Sequence, residues 1–427
     1  MIKKRTHKEN RKSANEYLTQ TIVVMNLMYL VSSCIMSKES ETINHDITNK
    51  RLVVKKEAKY MKLLFLTNIP SPYRVDFFNE LGRHCELTVL FEREGYATRD
   101  KSWLQYKFNS FCGIILRGVN LGRYQKFCYS IFRYLRKNIY DYIVVCNMST
   151  ITGILAVYWM KIFRIPYCIE GDGGFAGSGK GLKERLKTKM ISTAQLCFST
   201  SSLHDEYYLK YGAKQDKIYR YPFTSLREKD ILDRPLSKNK KEVKKQGLCI
   251  AEPHMILSVG SFIPRKGMDI LIQAAARIDR KWGIYIVGGQ PTEEYVALKE
   301  KYSMFNLHFV NFVDPEQLKK YYEAADLFVL ATREDIWGLV VSEALSFALP
   351  VITTRKCVAG MELIRDGYNG LLVEVDNVAD LQRGLEEFVN SQELVDYCAK
   401  GALETIREYT IEKMVSRHLR IFDENWK

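Results

Sequence analysis

The sequence predicts an α/β protein made of two doubly wound parallel-sheet domains in tandem. Three observations predict it. From Met61 onward, short continuous apolar runs alternate with helical patterns, as in sheets covered on both faces. A polar, lysine-rich stretch at 226–253 interrupts this alternation, which then restarts in the same style. A chain of 427 residues is also too long for one ordinary core.

Residues 1–60 read as an N-terminal extension outside the core. A basic run, Lys3–Lys12, precedes an apolar stretch of 16 residues, Thr21–Met36. That is short of the roughly 20 residues that span a bilayer, and basic-then-apolar order also describes a signal peptide. The readings are a weak anchor or signal, or a peripheral segment upstream of a true start at Met61. Residues 61–225 read as the first domain. Lys62–Thr67 is a buried strand; a turn with Pro70 and Pro72 leads to a helix from Val75 to Leu81. Further strands are expected at Glu86–Phe91, Tyr142–Cys146, Tyr167–Glu170 and Leu196–Ser199. Over 123–140, apolar positions 124, 127, 131, 135 and 139 recur among Arg123, Lys126, Arg133, Arg136 and Lys137, which predicts a basic amphipathic helix.

Residues 226–253 read as an interdomain linker with one short helix at most. The second domain covers 254–407. Its strands are expected at His254–Val259, Ile284–Val287, Leu307–Val310, Leu327–Leu330 and Val351–Thr353, with helices at 267–277, 315–324 and 338–348. Residues 408–427 are expected to form a C-terminal helix that returns toward the first domain.

Composition narrows the function classes. Apolar residues make up 46% and charged residues 27%, the balance of a globular protein. The ten cysteines include no C-x2-C pair and the seven histidines are dispersed, so neither a disulfide scaffold nor a zinc site is expected. The net charge of +14 divides unevenly: +6 in 1–60, +15 in 61–245 and −7 in 246–427. A basic first half suits an anionic partner, either membrane surface or nucleic acid.

Two loops carry the chemistry. In Ala331–Pro350 a strand ends, Asp335 follows, and Gly338 opens a helix bearing Leu339, Val340 and Glu343. A helix N-terminus with its unpaired N–H groups suits a diphosphate, and Gly338 lets it approach the backbone. Glu343, one turn in, can accept from ribose hydroxyls. In Ile256–Ile270 a strand ends at Gly260 and Ser261, and the loop delivers Arg265 and Lys266 to neutralise a leaving diphosphate. Gly288 and Gly289 end another strand and permit close approach of a ligand.

These pieces resemble the retaining glycosyltransferases of the GT-B fold, family 4, over about residues 61–427. The resemblance implies two Rossmann-like domains facing each other across a cleft. Its acid–seven residues–Glu pattern falls on Asp335 and Glu343, with Asp where Glu is usual. In the family the second acid holds the ribose while the glycine and helix dipole face the diphosphate. The family's Gly-Arg-x-x-x-x-Lys-Gly reads here from Gly260 to Gly267, with Ser261 in place of the arginine, so Arg265 is inferred to supply the second charge beside Lys266. In the first domain, Asn68–Leu81 resembles the loop that borders donor and acceptor. Pro72, Tyr73 and Arg74 become acceptor-side candidates, with Arg74 able to meet phosphate. Glu170-Gly171-Asp172-Gly173-Gly174 occupies the place of an acceptor-facing element, which makes Asp172, beside Gly173, the candidate acid or base.

The implied reaction transfers a sugar from a nucleotide-diphosphate-sugar to a saccharide acceptor with retention. Arg265, Lys266 and the helix at 338 stabilise the departing nucleotide, and Asp335 and Asp172 complete the catalytic set. No D-x-D occurs, so no metal and no cofactor are expected. The basic amphipathic stretch points to an anionic membrane surface, hence to a lipid-linked acceptor and a cytoplasmic protein peripheral to the inner face. A GT-B epimerase or phosphorylase and a non-catalytic sugar-nucleotide-binding protein are the alternatives. Nucleic-acid binding is not expected, because no binding-module signature is present.

Overall fold

The structure, a computed structural model, describes residues 60–95, 106–122, 125–177, 179 and 181–426. The extension 1–59, and every expectation for it, lies outside the described residues. Strands β1 (Lys62–Thr67), β2 (Glu86–Phe91), β3 (Cys112–Ile115), β6 (Tyr142–Val145), β7 (Cys168–Glu170), β8 (Cys197–Ser199) and β9 (Ile218–Arg220) form a seven-stranded sheet in the order β3-β2-β1-β6-β7-β8-β9. A second sheet has the order β12-β11-β10-β13-β14-β15. Its strands are β10 (His254–Val259), β11 (Trp282–Val287), β12 (Leu307–Val310), β13 (Leu327–Leu330), β14 (Val351–Thr354) and β15 (Gly370–Val373). Neighbouring strands pair in parallel throughout both sheets. Every residue of β1 after Lys62 is buried, as a continuous apolar run requires in a doubly covered sheet.

The helices that matter for the site follow from local signals. Helix α1 (Pro72–Leu81) starts with Pro at its first position, where the missing N–H costs nothing. Helices α2 (Ile151–Ile162), α3 (Leu182–Ile191) and α4 (Ser202–Lys210) flank the first sheet. In the lysine-rich stretch, α5 (Lys238–Gly247) buries Lys245, because Asp326 Oδ2 accepts its ammonium at 2.8 Å. Around the second sheet run α6 (Met268–Ala275), α7 (Glu293–Lys301), α8 (Pro315–Ala324), α9 (Leu339–Ser346), α10 (Val358–Leu363), α11 (Val378–Val389) and α12 (Gln392–Ile406). The last helix, α13 (Ile411–Asn425), packs on α1 of the first domain. Its His418 ring stacks on Phe198 at 4.9 Å, and the Phe422 carbonyl accepts from Tyr142 Oη at 2.9 Å.

The basic amphipathic helix expected over 123–140 is not there. Of its described residues, Gln125–Phe127 form β5, paired antiparallel with β4 (Val119–Leu121), and Tyr129–Arg133 form a short 3-10 turn. Tertiary contacts override the local pattern. Lys126 Nζ donates to the carbonyls of Glu92 and Leu116, each at 2.8 Å. Ile131 and Leu135 are buried in the core shared with α2, and Asn138 adopts a φ of 63°, which ends any helical run.

Candidate functional site

Strand order reverses once in each sheet, between β1 and β6 and between β10 and β13. Ligands of doubly wound sheets bind beyond the carboxyl ends of the strands at such a switch point. The loops leaving β10 and β13 therefore face the default site of the second domain, and they touch. Lys266 Nζ donates to Asp335 Oδ2 at 2.5 Å, and Arg265 Nη1 lies 3.6 Å from Asp335 Oδ1. Arg265 also donates to the Glu334 carbonyl at 2.8 Å and keeps 47% of its side chain exposed. Both cations thus gather round one carboxylate, Arg265 half-exposed and Lys266 largely covered at 14%. Gly260 and Gly288 sit back to back: a Cβ on Gly288 would lie 2.1 Å from the Gly260 carbonyl oxygen. Ser261 is exposed beside them.

Gly338 caps α9 with a φ of 100°, and a Cβ there would meet Cys357 Sγ at 2.7 Å. Only glycine suits that backbone and that gap. No side chain caps this helix, so its first-turn N–H groups remain available to an anion. Leu339 and Val340 form the half-buried first turn. Glu343 follows, its Oε2 accepting from Tyr322 Oη at 2.9 Å. Burial pushes the Glu343 carboxyl up from its ordinary range, and the Tyr322 hydrogen bond opposes that only in part.

The first domain contributes a charge cluster. Asp172 Oδ2 accepts from Tyr73 Oη at 2.9 Å, and its Oδ1 pairs with Arg74. Pro72 is exposed just before them. Arg74 is a correction to the sequence reading: with 3% of its side chain exposed, it is wedged between Glu170 and Asp172 and is not free to meet a phosphate. Two carboxylates at the end of β7 need a buried cation, and α1 delivers it from beneath. Burial alone raises the Glu170 carboxyl, but the Arg74 charge and the nearby His418 outweigh it and hold it at about 2. His418 Nε2 lies 3.6 Å from Glu170 Oε2, so α13 reaches the underside of the same loop.

The two halves meet directly. A Cβ on Gly173, whose φ is 133°, would lie 2.1 Å from the Ile336 carbonyl oxygen, so the loop bearing Asp172 rests against the loop bearing Asp335. The Trp337 and Phe223 rings pack edge to face at 5.2 Å, and Lys356 Nζ sits 5.1 Å from the centre of the Phe175 ring. Asp335, Arg265 and Lys266 form one group and Asp172, Tyr73 and Arg74 another. Glu343 stands apart from both, oriented by Tyr322.

Sequence reasoning missed Tyr322, Glu170 and His418, whose partners are far away along the chain. It also missed Glu92, which follows β2. Asn147 and Thr150 donate to its Oε1, and burial pushes its carboxyl up to about 7. Among the described residues, no group of three His, Cys, Asp or Glu side chains is arranged to hold a metal ion, and no helix is long and apolar enough to cross a membrane.

Residues 239–405 match the family of glycosyl transferases, group 1. An uncharacterised glycosyltransferase of Methanocaldococcus jannaschii is 30% identical over 169 residues, 39% of this chain and 47% of its own. One of Haemophilus influenzae is 29% identical over 188 residues, 43% of this chain and 50% of its own. The chain thus spans about half the length of these two relatives. The N,N'-diacetylbacillosaminyl-diphospho-undecaprenol alpha-1,3-N-acetylgalactosaminyltransferase of Campylobacter jejuni is 23% identical over 65% of this chain and 75% of its own. Among solved structures, Anabaena HepE in complex with UDP and glucose superposes with a TM-score of 0.68 at 16% identity, covering 86% of this chain and 100% of that one. WaaG, a glycosyltransferase involved in lipopolysaccharide biosynthesis, gives 0.60 at 18% identity, covering 84% and 99%. The fold is GT-B: two Rossmann-like domains facing each other.

Proposed function

We propose that this protein is a retaining, metal-independent glycosyltransferase of family 4. It would move a sugar from a nucleotide-diphosphate-sugar to a saccharide acceptor carried on lipid, in cell-surface polysaccharide or glycolipid synthesis. One observation carries the reading: at the second sheet's switch point, the uncapped N-terminus of α9 lies beside Lys266 and Arg265, with Glu343 one turn further on. Such a place suits a diphosphate with a ribose attached. The match to group 1 glycosyl transferases supports it, as does the similarity to the Campylobacter transferase and to WaaG.

In this reading Lys266 exchanges Asp335 for a phosphate oxygen when the donor binds. Asp335 is then free to meet the sugar's hydroxyls, while Lys266, Arg265 and the α9 dipole stabilise charge on the leaving nucleotide. Asp172, anchored by Tyr73 and Arg74, faces the acceptor as a fixed carboxylate. No enzymic nucleophile is needed, since the leaving diphosphate accepts the proton of the incoming hydroxyl. The protein works in the cytoplasm on the inner face of an anionic membrane.

A thermal-shift panel of UDP-, GDP- and ADP-sugars tests the site, followed by Glu343→Ala and Lys266→Ala. Each variant removes a charged hydrogen bond to the ligand and should weaken the best donor about 10- to 100-fold. Equal stabilisation of parent and both variants would remove the assignment.

A further inference from the structure

We infer that the outer face formed by α2, α3 and the 129–139 segment docks onto an anionic lipid bilayer. The inference rests on the lipid-linked acceptor proposed above and locates where the protein would lie to reach it. The three elements are adjacent. The Trp159 ring lies 4.5 Å from Phe132 and 4.4 Å from Phe163, and its Nε1 donates to the Leu135 carbonyl at 3.3 Å. Lys161 Nζ ties α2 to the end of α3 through the Lys189 carbonyl at 2.5 Å.

Large apolar side chains stand in water on this face: Ile162 is 68% exposed, Phe163 48% and Leu182 53%. Around them lie exposed Arg133, Lys137, Arg164, Lys183, Arg185 and Lys189. Among the described residues, none of these cations pairs with a carboxylate. Glu184, the one acid in the three segments, is taken by Lys187 and Tyr211. Along α3, Leu182, Arg185 and Lys189 recur at i, i+3 and i+7, one outward stripe.

Cations spread over a face, with apolar tips between them, fit anionic headgroups above an acyl layer. A nucleic-acid backbone would neutralise the charges but leave Ile162 and Phe163 wet. Direction supports the same occupant. Helix α3 follows the loop of Asp172 at the cleft edge and ends at the opposite edge, where Lys161 meets Lys189. A bilayer laid along α3 therefore passes beside the acceptor loop.

Co-sedimentation of the full chain with vesicles tests this, comparing phosphatidylglycerol–phosphatidylcholine mixtures with pure phosphatidylcholine at low salt. Two variants accompany the parent, Ile162→Asp with Phe163→Asp, and Lys183→Glu with Arg185→Glu and Lys189→Glu. A cation near an anionic surface contributes about fivefold to binding, so reversing three should weaken it by about a hundredfold or more. The apolar variant should also fall into the supernatant. All the altered residues lie outside the donor site, so the thermal shift with a nucleotide sugar should match the parent's, which separates failure of docking from failure of the donor reading. The inference is overturned if the parent ignores anionic vesicles, or if both variants bind as the parent does. It is overturned equally if the parent binds RNA in a way that only the charge variant weakens while vesicle binding is absent.

Discussion

Arg74→Met isolates the charge beneath the loop of Asp172, because methionine keeps an apolar contact with Phe223, whose ring centre lies 5.7 Å from the guanidinium carbon. The parent arginine has 3% of its side chain exposed and Glu170 has none. Removing one partner of a buried pair costs about 3–5 kcal/mol, since the other charge stays behind without its counterion. The Glu170 carboxyl points the same way: burial raises it, but the Arg74 charge and His418 outweigh that and hold it at about 2 against an ordinary 4.5, so the ionised form stabilises the fold. The sign is that of a depressed carboxylate: this stability is complete above pH 4.5 and is lost as pH falls from there toward 2. Urea unfolding at pH 7, followed by circular dichroism, should show the first domain of Arg74→Met losing about 3–5 kcal/mol. Adding Glu170→Gln to that variant should recover about 2 kcal/mol or more, because it removes the orphaned charge. A loss under about 1 kcal/mol, or a double variant weaker than the single one, would refute the reasoning.

Three further outcomes are expected. Glu92, raised to about 7, binds a proton in the native state that the unfolded chain has released; stability should fall as pH climbs from 4.5 through 7, and Glu92→Gln should flatten that slope in urea titrations across the range. Gly173→Ala puts a methyl 2.1 Å from the Ile336 oxygen, so the sugar transfer proposed above should drop and small-angle scattering should show a wider particle, with an unchanged radius counting against the contact. Tyr322→Phe leaves Glu343 without its orienting hydroxyl, which should raise the KM for the donor proposed above about tenfold while kcat moves less.

What the sequence showed, and what it hid, follows the range of the interactions. Strands such as Lys62–Thr67, Glu86–Phe91 and His254–Val259 run between the residues expected, because full burial writes an uninterrupted apolar run. The strands Ile218–Arg220 and Gly370–Val373 were not expected: both are short and lie at sheet edges. The loops of the second domain were legible because each is contiguous, a strand, a few charged residues and a helix start. Arg74 was misjudged because its partners are 96 and 98 residues away, and nothing within the Asn68–Leu81 segment distinguishes a guanidinium that meets phosphate from one that neutralises two acids below. Tyr322 lies 21 residues before Glu343 on a different helix, a pairing that only the fold creates. The misassigned helix over 123–140 shows the opposite failure: a genuine local period was overruled once Lys126 found two carbonyls to hold.

Helix α13 has a consequence for how the protein is made. Its Phe422 and His418 fill a gap against Phe198, Tyr142 and Phe77, all of which leave the ribosome long before it. Until α13 emerges, those aromatic rings lack the cover it supplies, and the half that is synthesised first is the half that matures last. A premature stop just after residue 407 would spare the second domain yet leave its neighbour sticky.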